Sequence, residues 1–235
     1  MAPEGIQLMG IRLAMDPAVQ DLAVGLVDAK GMRIADPSTE LREHCMEEVG
    51  RIAQAGMTGG DDRRDAVRRL LRHGGFKPAG RNKPAQEYLL RTANDRSAFP
   101  AILNAVDVLN VVSLKSGLPI SLVALARVNS PLQIRYGRMG ERFVFNRSGQ
   151  ELNLAGLICL CGRDAVDVAP AGTPVKDSMH AKVTEDDHHV LACIYAPRSV
   201  VTADELLRWT TELGDGFKQW CDASEVHTCL EPATW

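Results

Sequence analysis

From residue 99 to residue 200 the chain delivers its apolar residues in short runs: "NAVDVLNVVSL", "LPISLVAL", "LQIRYG", "GERFVFNRSG", "LAGLICLCG" and "HHVLACIYAP". Gly, Pro, Asn or Asp separates each from the next. Short runs rich in β-branched residues and punctuated by turn formers predict strands. The flanking segments follow a different period. Ser38 or Thr39 starts a helix, with Glu40 and Glu43 near its positive end and Leu41, Cys45, Val49 and Ile52 on one face. "GMTGG" at 56–60 ends it. Asp61 or Asp62 then caps a second helix with Val67, Leu70 and Leu71 inward and its arginines opposite, stopped by Gly74 or Gly75. Pro84 opens a third, "PAQEYLLRTAND". At the far end Thr202 and Glu205 form a capping box before a stripe of Leu206, Trp209, Leu213, Phe217 and Trp220, which reads as core. Residues 8–35 read as short strands and turns, with a hairpin around Lys30–Gly31. These patterns predict an α+β fold, helix-rich first and sheet-rich later, in a single domain over 1–235.

Composition excludes several classes. With 45% hydrophobic and 24% charged residues, the chain is neither disordered nor fibrous. Its apolar stretches, Leu157–Cys161 among them, are far short of the ~20 residues a bilayer crossing needs. The N-terminus lacks the pattern of a secretory signal, so a cytoplasmic location is expected. Six cysteines (Cys45, Cys159, Cys161, Cys193, Cys221 and Cys229) show no regular spacing. Cys159 and Cys161 alternate along one strand without a second pair, which predicts reduced, buried thiols and no metal. Adjacent His188 and His189 point to opposite faces of a strand, and with Glu185 and Asp187 they read as a polar turn rather than ligands. The glycines at 56–60 lack the Lys-Ser/Thr of a phosphate loop, and no Gly-x-Ser-x-Gly elbow is present. No cofactor is expected.

Charge is unevenly placed on a chain of net charge −3. Residues 63–91 hold nine Arg and Lys against two acids, whereas 204–231 hold seven acids against two bases. A basic region of this kind allows local attraction to a polyanion, or is simply a solvated face. The segment 104–122, "NAVDVLNVVSLKSGLPISL", places Asp107, Asn110 and Ser113 within its apolar run. Buried polar groups require partners. Asp107 therefore reads as a tie to nearby backbone, and Asn110 either satisfies loop amides or waits for a ligand.

Several motifs in order carry a resemblance. Val106-Asp107-x-x-Asn110, Gly117-x-Pro119, Arg135 and Gly140-Glu141 resemble the B3/4 domain of the bacterial phenylalanyl-tRNA synthetase β subunit. "KDSMHAKVTEDD" (176–187) and "PAQEYLLR" are similar to segments of free-standing B3/4 proteins. The likeness is closest over 76–200, with 1–75 an N-terminal strand and helix region and 201–235 a C-terminal helix packing on the core. It implies a β-rich core of sandwich-like sheets flanked by helices. In the synthetase this domain is the editing site, which receives the 3′ end of mischarged tRNA and hydrolyses the aminoacyl ester. The synthetase's aminoacylation modules do not fit in 235 residues, so the resemblance implies the domain on its own.

Carried over residue by residue, the resemblance implies a reacting set of Asn110, Ser121, Asp177 and Ser178. Pro119, Thr173, Pro174 and Cys193 would hold the substrate. Arg68, Arg69, Arg72, Arg81, Lys83, Arg91 and Arg135 would face the tRNA. Three positions depart from the family: Ser121 stands where its histidine does, "TPVKDS" replaces its glycine-rich turn, and Cys193 falls at or near its tyrosine-reading glutamate. The implied partner is tRNA or aminoacyl-tRNA, with neither DNA nor membrane. A non-catalytic RNA-binding module and a pocket for an amino-acid-like small molecule are the alternatives.

Overall fold

The computed structural model describes residues 6–8, 11–93, 99–163 and 168–235. Strand β3 (Leu22–Lys30) is the axis of the molecule. Eight of its nine residues are buried, so it is covered on both faces. It is sandwiched between β11 (Glu225–Glu231) and β10 (His189–Pro197), and β10 in turn pairs with β4 (Ile120–Ala124), all antiparallel. A second sheet runs β1 (Ile6–Leu8), β2 (Ile11–Met15), β5 (Asn129–Tyr136), β8 (Ile158–Arg163) and β9 (Val168–Gly172), with β2 and β5 parallel. A short hairpin of β6 (Arg142–Val144) and β7 (Glu151–Asn153) stands apart. Helices α1 (Thr39–Ala55), α2 (Gly60–Arg72), α3 (Ala85–Ala93), α4 (Asn104–Ser116) and α5 (Ala203–Cys221) complete an α+β fold.

Alternation in the central sheet builds two cores. Val27 and Ala29 on β3, Ala192 and Ile194 on β10, and Ile120 and Leu122 on β4 face the helical layer of α1, α4 and α5. Their neighbours Val24, Leu26, Cys193 and Tyr195 face Leu13, Ile134 and Leu160 of the other sheet. The four-stranded sheet is thus a middle layer, with helices on one side and a second sheet on the other. Helix α2 contributes to both, Val67 on the helical side and Leu70 and Leu71 between the sheets.

Most element boundaries follow from caps. Ser38 Oγ accepts the Leu41 N–H at the start of α1, and Thr202 Oγ1 accepts that of Glu205 at the start of α5. Leu206, Trp209, Leu213 and Phe217 of α5 are buried, as their stripe predicts. The cysteines are all unpaired; five are buried and Cys229 is partly so.

Two expectations are corrected. Residues 104–116 form helix α4 and not a strand. Eleven of its 13 residues are buried, because it packs against α1, α3, α5 and the edge of the sheet at once. A helix covered all round loses the polar stripe that would reveal its period, and its β-branched residues then imitate a strand. Gly117, at φ +68, ends it by donating its N–H to Ser113 O. The hairpin at Lys30–Gly31 does not form. Gly31, at φ +64, turns the chain away, Met32 N–H donates to His188 O, and β3 takes its partners from the distant β10 and β11.

The polar residues of α4 find their reasons here. Asp107 lies in the first turn, and both its oxygens accept the Ile102 N–H at 3.0 and 3.3 Å. Burial nonetheless pushes its carboxyl up to about 6, against that backbone donor and the Arg42 charge. Ser113 Oγ donates to Leu118 O at 2.7 Å and so braces the turn into β4.

Candidate functional site

One face of α4 and the adjacent edge of the central sheet enclose a cavity of about 280 Å³. Helix α4 contributes Val106, Leu109 and Asn110, which share one face at i, i+3 and i+4. Strand β4 contributes Ile120 and Leu122, the residues its pleat directs to the helical side. Thr173, Val175, Lys176 and Asp177 close it from the turn after β9, and Lys182 and Val183 from the segment beyond. Ile102 and Leu103 form the rim, and Ala85 at the start of α3 completes the wall. The walls are thus mostly aliphatic with a few polar groups, the usual make-up of a small-molecule site.

The turn at 173–178 is self-braced. Thr173 Oγ1 donates to Lys176 O at 2.7 Å and accepts the N–H groups of Val175 and Lys176. Ser178 Oγ accepts the Ala181 N–H, and Ser178 N–H donates to Ala171 O. Pro174 O accepts the Ala85 N–H at 3.0 Å, which joins this turn to α3.

Asn110 is the one α4 amide in the cavity, and its side chain has no hydrogen-bond partner among the described residues. Asp177 Oδ2 accepts the Leu122 N–H at 3.0 Å, while Oδ1 is sealed from solvent and unpaired. Burial pushes the Asp177 carboxyl up to about 7, only partly offset by backbone donors from Leu122 and Thr173 and by the Lys182 charge. Lys176 is held with its ammonium 3.7 Å from the centroid of the Phe145 ring, and burial followed by repulsion from Arg81 and Lys182 lowers its pKa.

The sequence-predicted site therefore divides into two layers. Asn110, Thr173 and Asp177 line the cavity. Ser121 and Cys193 do not, because they occupy the odd positions of β4 and β10 and turn into the core between the sheets. There Ser121 Oγ lies 2.9 Å from the hydroxyl of the fully buried Tyr195, and Tyr195 in turn contacts Cys193. Gly172 is where the layers meet: a Cβ added there would lie 2.8 Å from Ser121 Oγ and 3.0 Å from Asp177 Oδ1. The Ser121 hydroxyl thus stands directly behind Asp177 rather than beside Asn110. Pro119, Pro174 and Ser178 are buried frame residues; the carbonyl of Pro119 accepts the Tyr195 N–H.

The basic residues also divide. Arg135, only 4% exposed, forms a bidentate pair with Glu141 at 2.7 and 2.8 Å and donates to Tyr136 O. It is a brace for the 136–141 turn and does not face outward. Arg68 is held by both oxygens of Glu87, joining α2 to α3. Arg63, expected on the solvated face of α2, is instead buried against Ser116 O and Glu205. A single sequence shows the arginine but not the carboxylate that folding brings to it. Arg69, Arg72, Arg81 and Arg91 remain exposed, with Lys83 half-buried. Lys176 and Lys182 went unassigned in the sequence reading, although they flank Asp177 in the segment carrying the resemblance.

Other features are accounted for structurally. A groove of about 680 Å³ lies between α1, α4 and α5, but none of the predicted site residues reaches it, and its Lys115 is already paired with Glu48 and Glu212. His188 and His189 point apart, one to Met32 O and the other to the buried Asp28. Among the described residues no three His, Cys, Asp or Glu converge as metal ligands, and no helix is long and apolar enough to cross a membrane.

The chain is a layered α+β domain in which a small, mainly apolar cavity lies beside the Asn110 amide. The B3/4 domain family matches residues 76–235, and the chain belongs to that family. It is also 26% identical over 140 residues to the phenylalanine–tRNA ligase beta subunit of Thiobacillus denitrificans, a match covering 60% of this chain and 18% of that protein. The chain thus corresponds to a small part of that relative. It is a domain related to a tRNA synthetase.

Proposed function

We propose that the chain is a trans-acting editing domain, which binds the 3′ end of a mischarged tRNA and hydrolyses its aminoacyl ester. The observation that carries this reading is the cavity itself. Aliphatic walls of about 280 Å³ suit an amino-acid side chain, and an unpaired amide and a carboxylate stand beside them. Asn110 would donate to the ester carbonyl and to the oxyanion that develops from it. Asp177, whose carboxyl sits at about 7, would accept a proton from the attacking water near neutral pH. Water's oxygen would bond to the carbonyl carbon and the ribose oxygen would leave with a proton, giving free amino acid and tRNA. An ester already activated needs orientation more than a nucleophile. Exposed Arg69, Arg72, Arg81 and Arg91 would lie along the phosphate backbone.

A second reading, binding without turnover, is favoured by one observation: Ser121 faces the inter-sheet core, so the cavity has no hydroxyl or imidazole on β4. Deacylation separates the two. A panel of mischarged tRNAs is incubated with the protein and with Asn110→Ala. Release of amino acid from at least one of them, reduced at least about 100-fold by the substitution, is the expected outcome. Binding of the same tRNAs with every ester intact would leave the second reading standing and refute the first. Because the Asn110 side chain has no hydrogen-bond partner among the described residues, the variant's melting temperature should stay close to wild type.

A further inference from the structure

We propose that Lys176 and Lys182, with Arg81 on the turn that leads into α3, form an anion subsite at the rim of the cavity, which takes a phosphate group attached to whatever fills the cavity. This deepens the editing reading and rests on it for the identity of the ligand, but the subsite itself follows from separate residues. Braced segments carry these cations. Arg81 lies in the 3-10 turn Gly80–Asn82, where Asn82 N–H donates to Ala79 O and Tyr88 Oη donates to Gly80 O. That turn leads directly into α3, whose Ala85 N–H is bonded to Pro174 O beside Lys176. Lys176 is fixed by its place over the Phe145 ring, and Lys182 Nζ donates to Phe145 O at 3.1 Å. Phe145 thus anchors both lysines, one through its ring and one through its carbonyl.

None of the three has a carboxylate within ion-pair distance among the described residues, whereas Arg63, Arg68, Lys115, Arg127 and Arg135 all have one. Repulsion from Arg81 and Lys182 adds to burial in lowering the pKa of Lys176. An anion removes that repulsion. Its position beside an apolar cavity selects a ligand with an apolar end and a phosphate end. The shared chemistry is a phosphate ester, supplied either by the phosphodiesters of a single-stranded RNA terminus or by a small phosphorylated molecule.

The test titrates the protein with an RNA trinucleotide of sequence CCA, with adenosine, with inorganic phosphate and with an amino-acid methyl ester, following amide shifts by NMR. The trinucleotide is expected to bind, and Lys176→Gln and Lys182→Gln should each weaken it about 5–10-fold. The dependence of its affinity on salt should fall by roughly 0.7 in log–log slope for each cation removed. The methyl ester, which carries no phosphate, should lose less affinity than the trinucleotide in both variants. Saturable binding of inorganic phosphate with shifts confined to these turns, without binding of the trinucleotide, would support the subsite and assign it to a small phosphorylated ligand. Trinucleotide affinity unchanged in both variants, with folding confirmed by their melting curves, would overturn the proposal. Failure of the deacylation panel leaves this result untouched, so the two ideas fail separately.

Discussion

Replacing Asp177 with asparagine tests the electrostatics of the cavity most directly. The carboxyl is held at about 7 against an ordinary 3.8, chiefly by burial. Each tenfold change in proton affinity is worth about 1.4 kcal/mol, so the ionised form costs the folded state on the order of 4 kcal/mol. The folded protein holds this proton more tightly than the unfolded chain does. Its contribution to stability is therefore complete below pH 4, falls as the pH rises from about 4 to about 7, and is flat above that. Asparagine is nearly the same shape, cannot ionise, and can still accept the Leu122 N–H. Whatever separates the two proteins at pH 4, the difference should move by about 4 kcal/mol in favour of Asp177→Asn by pH 8. Urea denaturation at fixed salt from pH 4 to pH 8.5 measures this. Asp107, raised to about 6, titrates in both proteins and cancels. Parallel stability curves across that range would refute the burial argument. Under the editing reading the same substitution should abolish deacylation while stabilising the fold, because it removes the proton acceptor together with its cost.

Two further predictions concern residues that the structure moves away from the cavity. Arg135→Ala should destabilise the protein by about 3–5 kcal/mol, because it strips a buried guanidinium from Glu141 and unbraces the 136–141 turn; a thermal melt close to wild type would contradict this. Ser121→Ala should cost about 1 kcal/mol by removing one hydrogen-bond partner of the buried Tyr195 hydroxyl, which keeps its contact with Cys193. Deacylation per folded molecule should not change, and a selective loss of activity would mean that the hydroxyl reaches the reacting ester.

Legibility differs from residue to residue. The apolar stripe of α5 and the Ser38 cap of α1 were readable because both depend on residues within a few positions of each other. The motifs around Asn110 and Asp177 were readable through their order along the chain. The helical state of 104–116 was not, because its signal is erased when every side of a helix is covered. Nor was the role of Arg135, since a cation that pairs internally and one that meets a phosphate are the same letter.

The α+β class, four of the five α-helices among the described residues, most of the strands and the family resemblance were legible in the sequence, because caps, periods and motif spacings are local. Only the tertiary structure decided which side of β4 each residue takes. A pleat puts neighbours on opposite faces, so Ile120 and Leu122 wall the cavity while Ser121 is enclosed between the sheets. Tertiary structure alone also decided which cations are paired, because the carboxylates that meet Arg63 and Arg68 come from elsewhere in the chain, while Arg81, Lys176 and Lys182 form no ion pair among the described residues.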